Sequence, residues 1–210
     1  MISLQKHNTF TDLCSYILCI AFLVAIICLF FFDSGDVFYN TWHFERENFS
    51  QTKLTSITYI FFHSNLIQLS INLASLLLIF IFLGKIFESI WWVPALLFSG
   101  VSASYGVYFY DLDTNLLCGL SAPIHGLIFY AILYLRISIV WIIALFLKLF
   151  IDLYFDGIFV NFLNNFIYSV DMYTTSPLAN IFALFGAFIA FFLSRSISTI
   201  SLLIELIKHK

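Results

Sequence analysis

The stretch Gly119-Leu120-Ser121-Ala122-Pro123-Ile124-His125-Gly126 sets a hydroxyl and an imidazole four residues apart, one turn of helix. Side chains at that spacing have β-carbons roughly 5–6 Å apart, so a hydrogen bond between Ser121 and His125 is within reach. A serine whose proton passes to a neighbouring base can attack a carbonyl, which makes acyl transfer the chemistry to consider. Further polar residues stand in apolar surroundings: His63, Gln68 and Asn72 in one segment, Asn180 in another. Read as one helix, that first segment puts Gln68 and Asn72 on one face and His63 about 140° round from Gln68. Amide donors so placed can hold an oxyanion. Two plainer roles compete with this chemistry. Pro123 belongs in a first helical turn, which would make Ser121 a helix cap, and buried polar groups also serve as interhelical hydrogen bonds.

The elements that would position these residues follow from composition. Of 210 residues, 62% are hydrophobic and only 10% charged, more apolar surface than a water-soluble domain of this length can hide. Six runs are long and apolar enough to be read as membrane helices. Their approximate limits are 13–32, 54–83, 90–110, 116–135, 137–153 and 177–193. The first is too long for a cleaved signal peptide and is expected to remain as an anchor. Lys6, Lys85, Arg136, Arg195, Lys208 and Lys210 then fall on one face of the membrane, with most acidic residues on the other. By the positive-inside rule both termini are cytoplasmic. His63, Gln68, Ser121 and Asn180 come early in the even-numbered spans, so they share one depth below the outer surface.

Two connections, 33–53 and 154–176, are rich in aromatics and suit elements lying at the interface, as lid or cover. The net charge of −3 and the lack of a basic cluster argue against nucleic-acid binding. Cys14, Cys19 and Cys28 lie along span one and Cys118 stands alone, so neither a disulfide nor a metal site is expected. No cofactor motif is present. Ala179, Ala183 and Ala187, spaced by four, allow close helix packing in span six.

The order His63-Ser64-Asn65, Gln68, Asn72-Leu73-Ala74 and then Gly119-Leu120-Ser121 resembles the rhomboid intramembrane serine proteases. GLSAPIHG is closest to their rhombosortase branch, whose members carry a similar GLSG stretch followed by histidine and glycine; Lys148 and Asp152 echo the same branch. The resemblance runs from span one to span six. It implies an all-α, polytopic, six-transmembrane-helix bundle forming a single domain over residues 1–210. Ser121 matches the nucleophile, Asn72 and Gln68 the oxyanion-binding positions, and His63 and Gly119 lie nearby. The family's helix-six base stands in Ala-His-x-x-Gly, whereas this chain reads Ala179-Asn180-Ile181-Phe182-Ala183. An amide cannot take the serine proton, and loss of a catalytic serine or histidine costs on the order of a million-fold in a well-studied protease.

The reading is therefore a membrane protein of serine-protease lineage, catalytically impaired, that binds transmembrane or membrane-proximal segments of other proteins amid membrane lipids. The alternative is an active intramembrane serine endopeptidase in which His125 serves Ser121 as an unusual base. The resemblance implies a bacterial plasma membrane.

Overall fold

The computed structural model describes residues 9–32, 41–154 and 176–208. Six long helices account for most of them: α1 (Thr9–Phe32), α2 (Leu66–Leu83), α3 (Trp92–Tyr110), α4 (Ser121–Leu135), α5 (Ile139–Tyr154) and α6 (Pro177–Lys208). Each falls within or beside one of the six expected runs. Three stretches, Asp12–Phe32, Leu66–Glu88 and Pro177–Ser201, are long and apolar enough to cross a bilayer by length and composition, and Ser121–Leu135 is a shorter apolar helix.

Three boundaries differ from the sequence expectation, each for a local reason. Residues 54–65 are not the first turns of span two: they form a one-turn helix (Thr55–Thr58), a 3₁₀ turn (Tyr59–Phe61) and an extended link. Asn65 then starts α2, its extended backbone and side-chain oxygen accepting the Gln68 N–H at 2.8 Å, as an N-cap does. His63 consequently does not lie on the Gln68 helix. Likewise Leu116–Leu117 is a strand, not helix; it pairs antiparallel with Phe44–Glu45, register Phe44 to Leu117. We call Phe44–Glu45 β1 and Leu116–Leu117 β2. At the far end α6 continues past residue 193 to Lys208, so its 32 residues span about 48 Å, well beyond a hydrocarbon core of about 30 Å.

At the centre of the bundle are α3, α4 and α6, and small residues set how closely they approach. Ala179, Ala183, Ala187 and Ala190 are all buried on α6. A methyl group added at Gly186 would lie 2.0 Å from the Phe98 carbonyl oxygen of α3, and one at Gly126 of α4 would lie 2.8 Å from the Ala183 carbonyl. Outside this trio, α1 is held by the Trp92 indole N–H, which donates to Ser15 Oγ at 3.0 Å, and by Phe22 packed edge-on against Phe61 and Trp92. Helix α5 leans on α4 and α6 through Leu145, Leu149, Ile132 and Leu184. It turns Trp141, Ile143, Phe146 and Phe150 outward, the residue types that face lipid in a spanning helix.

One end of the bundle is tied together by polar side chains. The Arg46 guanidinium donates to the carbonyls of Tyr108 (2.6 Å), Val107 (2.5 Å), Thr114 (3.2 Å) and Asp111. It thereby closes the C-terminal turn of α3, where a cation also opposes the helix dipole. Phe49, three residues on, is buried against Phe44, Tyr105 and Tyr108. The residues from Thr41 to Lys53 are thus part of the packed molecule; 33–40, 155–175 and the residues before Thr9 and after Lys208 lie outside the described residues, and with them the expected roles of Lys6, Lys210 and the 154–176 connection.

Candidate active site

Five elements meet around one narrow cleft, lined by Tyr59, Gln68, residues 116–119, Ser121, Ala122, Ser176, Ala179 and Asn180. Of the four residues expected at one depth, Gln68, Ser121 and Asn180 line this cleft and His63 does not. Each arrives by a different device. Ser121 is the first residue of α4, following Leu120 at the cap position. The role of Ser121 as a helix cap is thereby replaced: Pro123 sits in the first turn as expected, but the chain enters the helix one residue earlier. N–H groups at a helix start have no carbonyl one turn back, so the backbone around Ser121 faces the cleft with partial positive charge.

Asn180 reaches the cleft because Ser176 starts α6. The Ser176 hydroxyl accepts the Ala179 N–H at 3.1 Å, with Pro177 at the first helical position, a cap and entry pair that fixes the helix start. The same hydroxyl donates to the Asp111 carboxylate, which also accepts from the Thr114 hydroxyl at 2.9 Å. The C-terminus of α3 and the N-terminus of α6 are thus latched beside the cleft. Asn180 is 3% exposed and its Oδ1 has no hydrogen-bond partner among the described residues. An orphan acceptor at that depth is costly unless something donates to it, about 1–3 kcal/mol.

The loop between β2 and α4 is held from below. Gly119 has φ +84°, and a Cβ there would lie 3.0 Å from Asn72 Nδ2 and 3.2 Å from Gln68 Nε2. Only glycine combines that backbone with that closeness. Its N–H donates to the Tyr59 carbonyl at 3.0 Å, while the Tyr59 hydroxyl donates to the Gly100 carbonyl at 3.1 Å. Gln68 is fully engaged: Oε1 accepts from the Ser64 N–H at 2.8 Å, and Nε2 donates to the Cys118 carbonyl at 3.2 Å. Gln68 therefore braces the loop. Asn72 differs, being 3% exposed with its Nδ2 unpartnered beside Gly119. Asn72 is not among the residues that line the cleft.

Both ring nitrogens of His125 are engaged by groups other than the serine hydroxyl. Its Nδ1 lies 2.7 Å from the Ser121 backbone carbonyl and its Nε2 2.5 Å from Lys148 Nζ, and Lys148 forms a 2.5 Å ion pair with Asp152 one turn along α5. An ammonium has donors and no lone pair, so Nε2 must accept from it; the neutral ring then carries its hydrogen on Nδ1 and gives it to the Ser121 carbonyl. The one lone pair of His125 is committed to Lys148.

His63 is buried in the link before α2, its ring near the Phe61 carbonyl. Burial pushes its pKa down to about 4, the Phe61 carbonyl opposing this only in part. It does not line the cleft. Sequence reasoning passed over Tyr59, Cys118 and Ser176. Of these only Ser176 carried a signal, the Ser-Pro pair that opens helices.

The family model described as the Rhomboid domain matches residues 50–196. No curated protein and no solved structure matches the chain.

Proposed function

This chain belongs to the rhomboid family, and we propose that it has kept a substrate cleft while losing the means to activate the serine in it. The cleft takes extended, membrane-proximal segments of other proteins at the outer face of a bacterial plasma membrane, with both termini of this chain on the cytoplasmic side. The observation that carries this reading is the chemistry around Ser121. The residue from α6 that joins it in the cleft is an asparagine, and the nearest imidazole spends its lone pair on Lys148. Asn180 Oδ1 can accept the Ser121 proton as a hydrogen bond but has too little basicity to take it in a transition state.

Binding without efficient cleavage remains well supported by what lines the cleft. Among the described residues β2 has β1 on one side only, so an extended segment can add along Leu116–Leu117 by main-chain hydrogen bonds. The spare acceptor of Asn180 in the lining suits the N–H of a peptide unit. A photo-reactive amino acid at Leu116 tests this in proteoliposomes holding a single-span test protein. The expected result is a crosslinked pair with both chains intact. Cleavage of the test protein, abolished by Ser121→Ala, would contradict it.

A further inference from the structure

A run of contacts leads from Ser121 through His125 and Lys148 to Asp152. His125 Nδ1 lies 2.7 Å from the Ser121 carbonyl, its Nε2 lies 2.5 Å from Lys148 Nζ, and Lys148 Nζ lies 2.5 Å from Asp152 Oδ2. The imidazole and the carboxylate thus touch the same ammonium, and they are no further apart than those two contacts laid end to end. Between Lys148 and Asp152, Lys148 is the one a group from outside the bundle reaches first, its side chain being 47% exposed against 14% for Asp152.

What these contacts do to Ser121 is decided by the position of one hydrogen. A neutral imidazole has one N–H and one lone pair, and the partner of one nitrogen fixes the state of the other. Because an ammonium can only donate, Lys148 takes the lone pair at Nε2 and leaves the hydrogen on Nδ1, the nitrogen beside Ser121. A carboxylate can only accept. Set against Nε2, Asp152 would hold the hydrogen there and leave the lone pair on Nδ1, which is how a serine, a histidine and an aspartate work together. A helical side chain leans over the turn before it, so Nδ1 is already against residue 121. His125 does not line the cleft; a base in that position takes the Ser121 proton from along the helix and leaves the lining to the substrate.

We propose that the Lys148 ammonium is an autoinhibitory contact: set between His125 and Asp152, it holds the imidazole in the tautomer that cannot serve Ser121. When the ammonium is drawn away, the ring hydrogen exchanges to Nε2, where Asp152 accepts it. The Nδ1 lone pair then takes the Ser121 proton as the hydroxyl oxygen attacks. The inference rests on the proposed reading that Ser121 has no available base, and it names the group that withholds one.

The test is fluorophosphonate labelling of the full chain in detergent, mapped to Ser121; the serine oxygen displaces fluoride from phosphorus and its proton passes to the base. Lys148→Met is expected to label at least about 100-fold above wild type, as a positioned general base supplies. Adding Ser121→Ala or His125→Phe to Lys148→Met abolishes the gain, and adding Asp152→Asn reduces it. Lys148→Arg, which also only donates, stays as silent as the wild type. Nitrogen-15 spectra of the histidine-labelled wild type, assigned through His125→Phe, give a readout that needs no change at Lys148: the ring hydrogen of His125 is expected on Nδ1. A hydrogen found on Nε2, a folded Lys148→Met that stays unlabelled, or labelling of Lys148→Met that survives His125→Phe would overturn the proposal. Labelling of Ser121 in the wild type would instead remove the reading beneath it, so the two failures are distinguishable.

Discussion

The burial of His63 is written into its titration. With a folded-state pKa lowered to about 4 against roughly 6.5 when unfolded, the unfolded chain binds the extra proton between those values. Stability is therefore fully present above about pH 6.5 and falls as the pH drops toward 4, by up to about 3 kcal/mol. Thermal unfolding in detergent from pH 7 to 4.5 should show that decline, and His63→Phe should flatten it. Gly119 makes a second case at this scale. Alanine there meets both a left-handed backbone and the Asn72 and Gln68 amides; a loss of about 1–3 kcal/mol is expected, read in the same unfolding assay. The hydroxyl of Ser121 needs no such rescue. It stands at a helix start, and on the proposed reading what it lacks is a proton acceptor.

At the scale of elements, the cleft depends on how helix ends are tied. Arg46 satisfies carbonyls of the last turn of α3 and the loop beyond it, so Arg46→Ala leaves several of them bare and should cost about 2–4 kcal/mol. Arg46→Lys should recover only part, since an ammonium cannot reproduce the planar fork. Ser176→Ala removes the α6 cap and an Asp111 partner together, for a loss of about 1–2 kcal/mol; a denaturant titration of each variant checks both figures. These ties explain what was legible in the sequence. Ser121, Gln68, Asn72 and Asn180 could be picked out because polar side chains are rare in apolar runs. Their partners could not, because Arg46 and Tyr59 act across 41 to 68 residues of chain through backbone carbonyls, and a carbonyl has no residue type. The early start assumed for span two failed for a related reason. Residues 54–62 are apolar enough to be helix, but Asn65 caps a new one and the chain before it turns.

For the whole molecule, the small-residue seam of α3, α4 and α6 and the loosely attached α1 and α5 divide the labour. The seam holds Ser121 and Asn180 in fixed relation through Gly126, Ala183 and Gly186, and it has no reason to relax if the chemistry is lost. A scaffold of this kind stays folded with an asparagine at position 180. The most direct measurement is labelling by a fluorophosphonate, which reports an activated serine, on the wild type, Ser121→Ala and Asn180→His. The account predicts no labelling of the wild type above the Ser121→Ala background, and a gain of at least about 100-fold on Ser121 in Asn180→His, as a positioned general base supplies. Wild-type labelling that disappears in Ser121→Ala would contradict it.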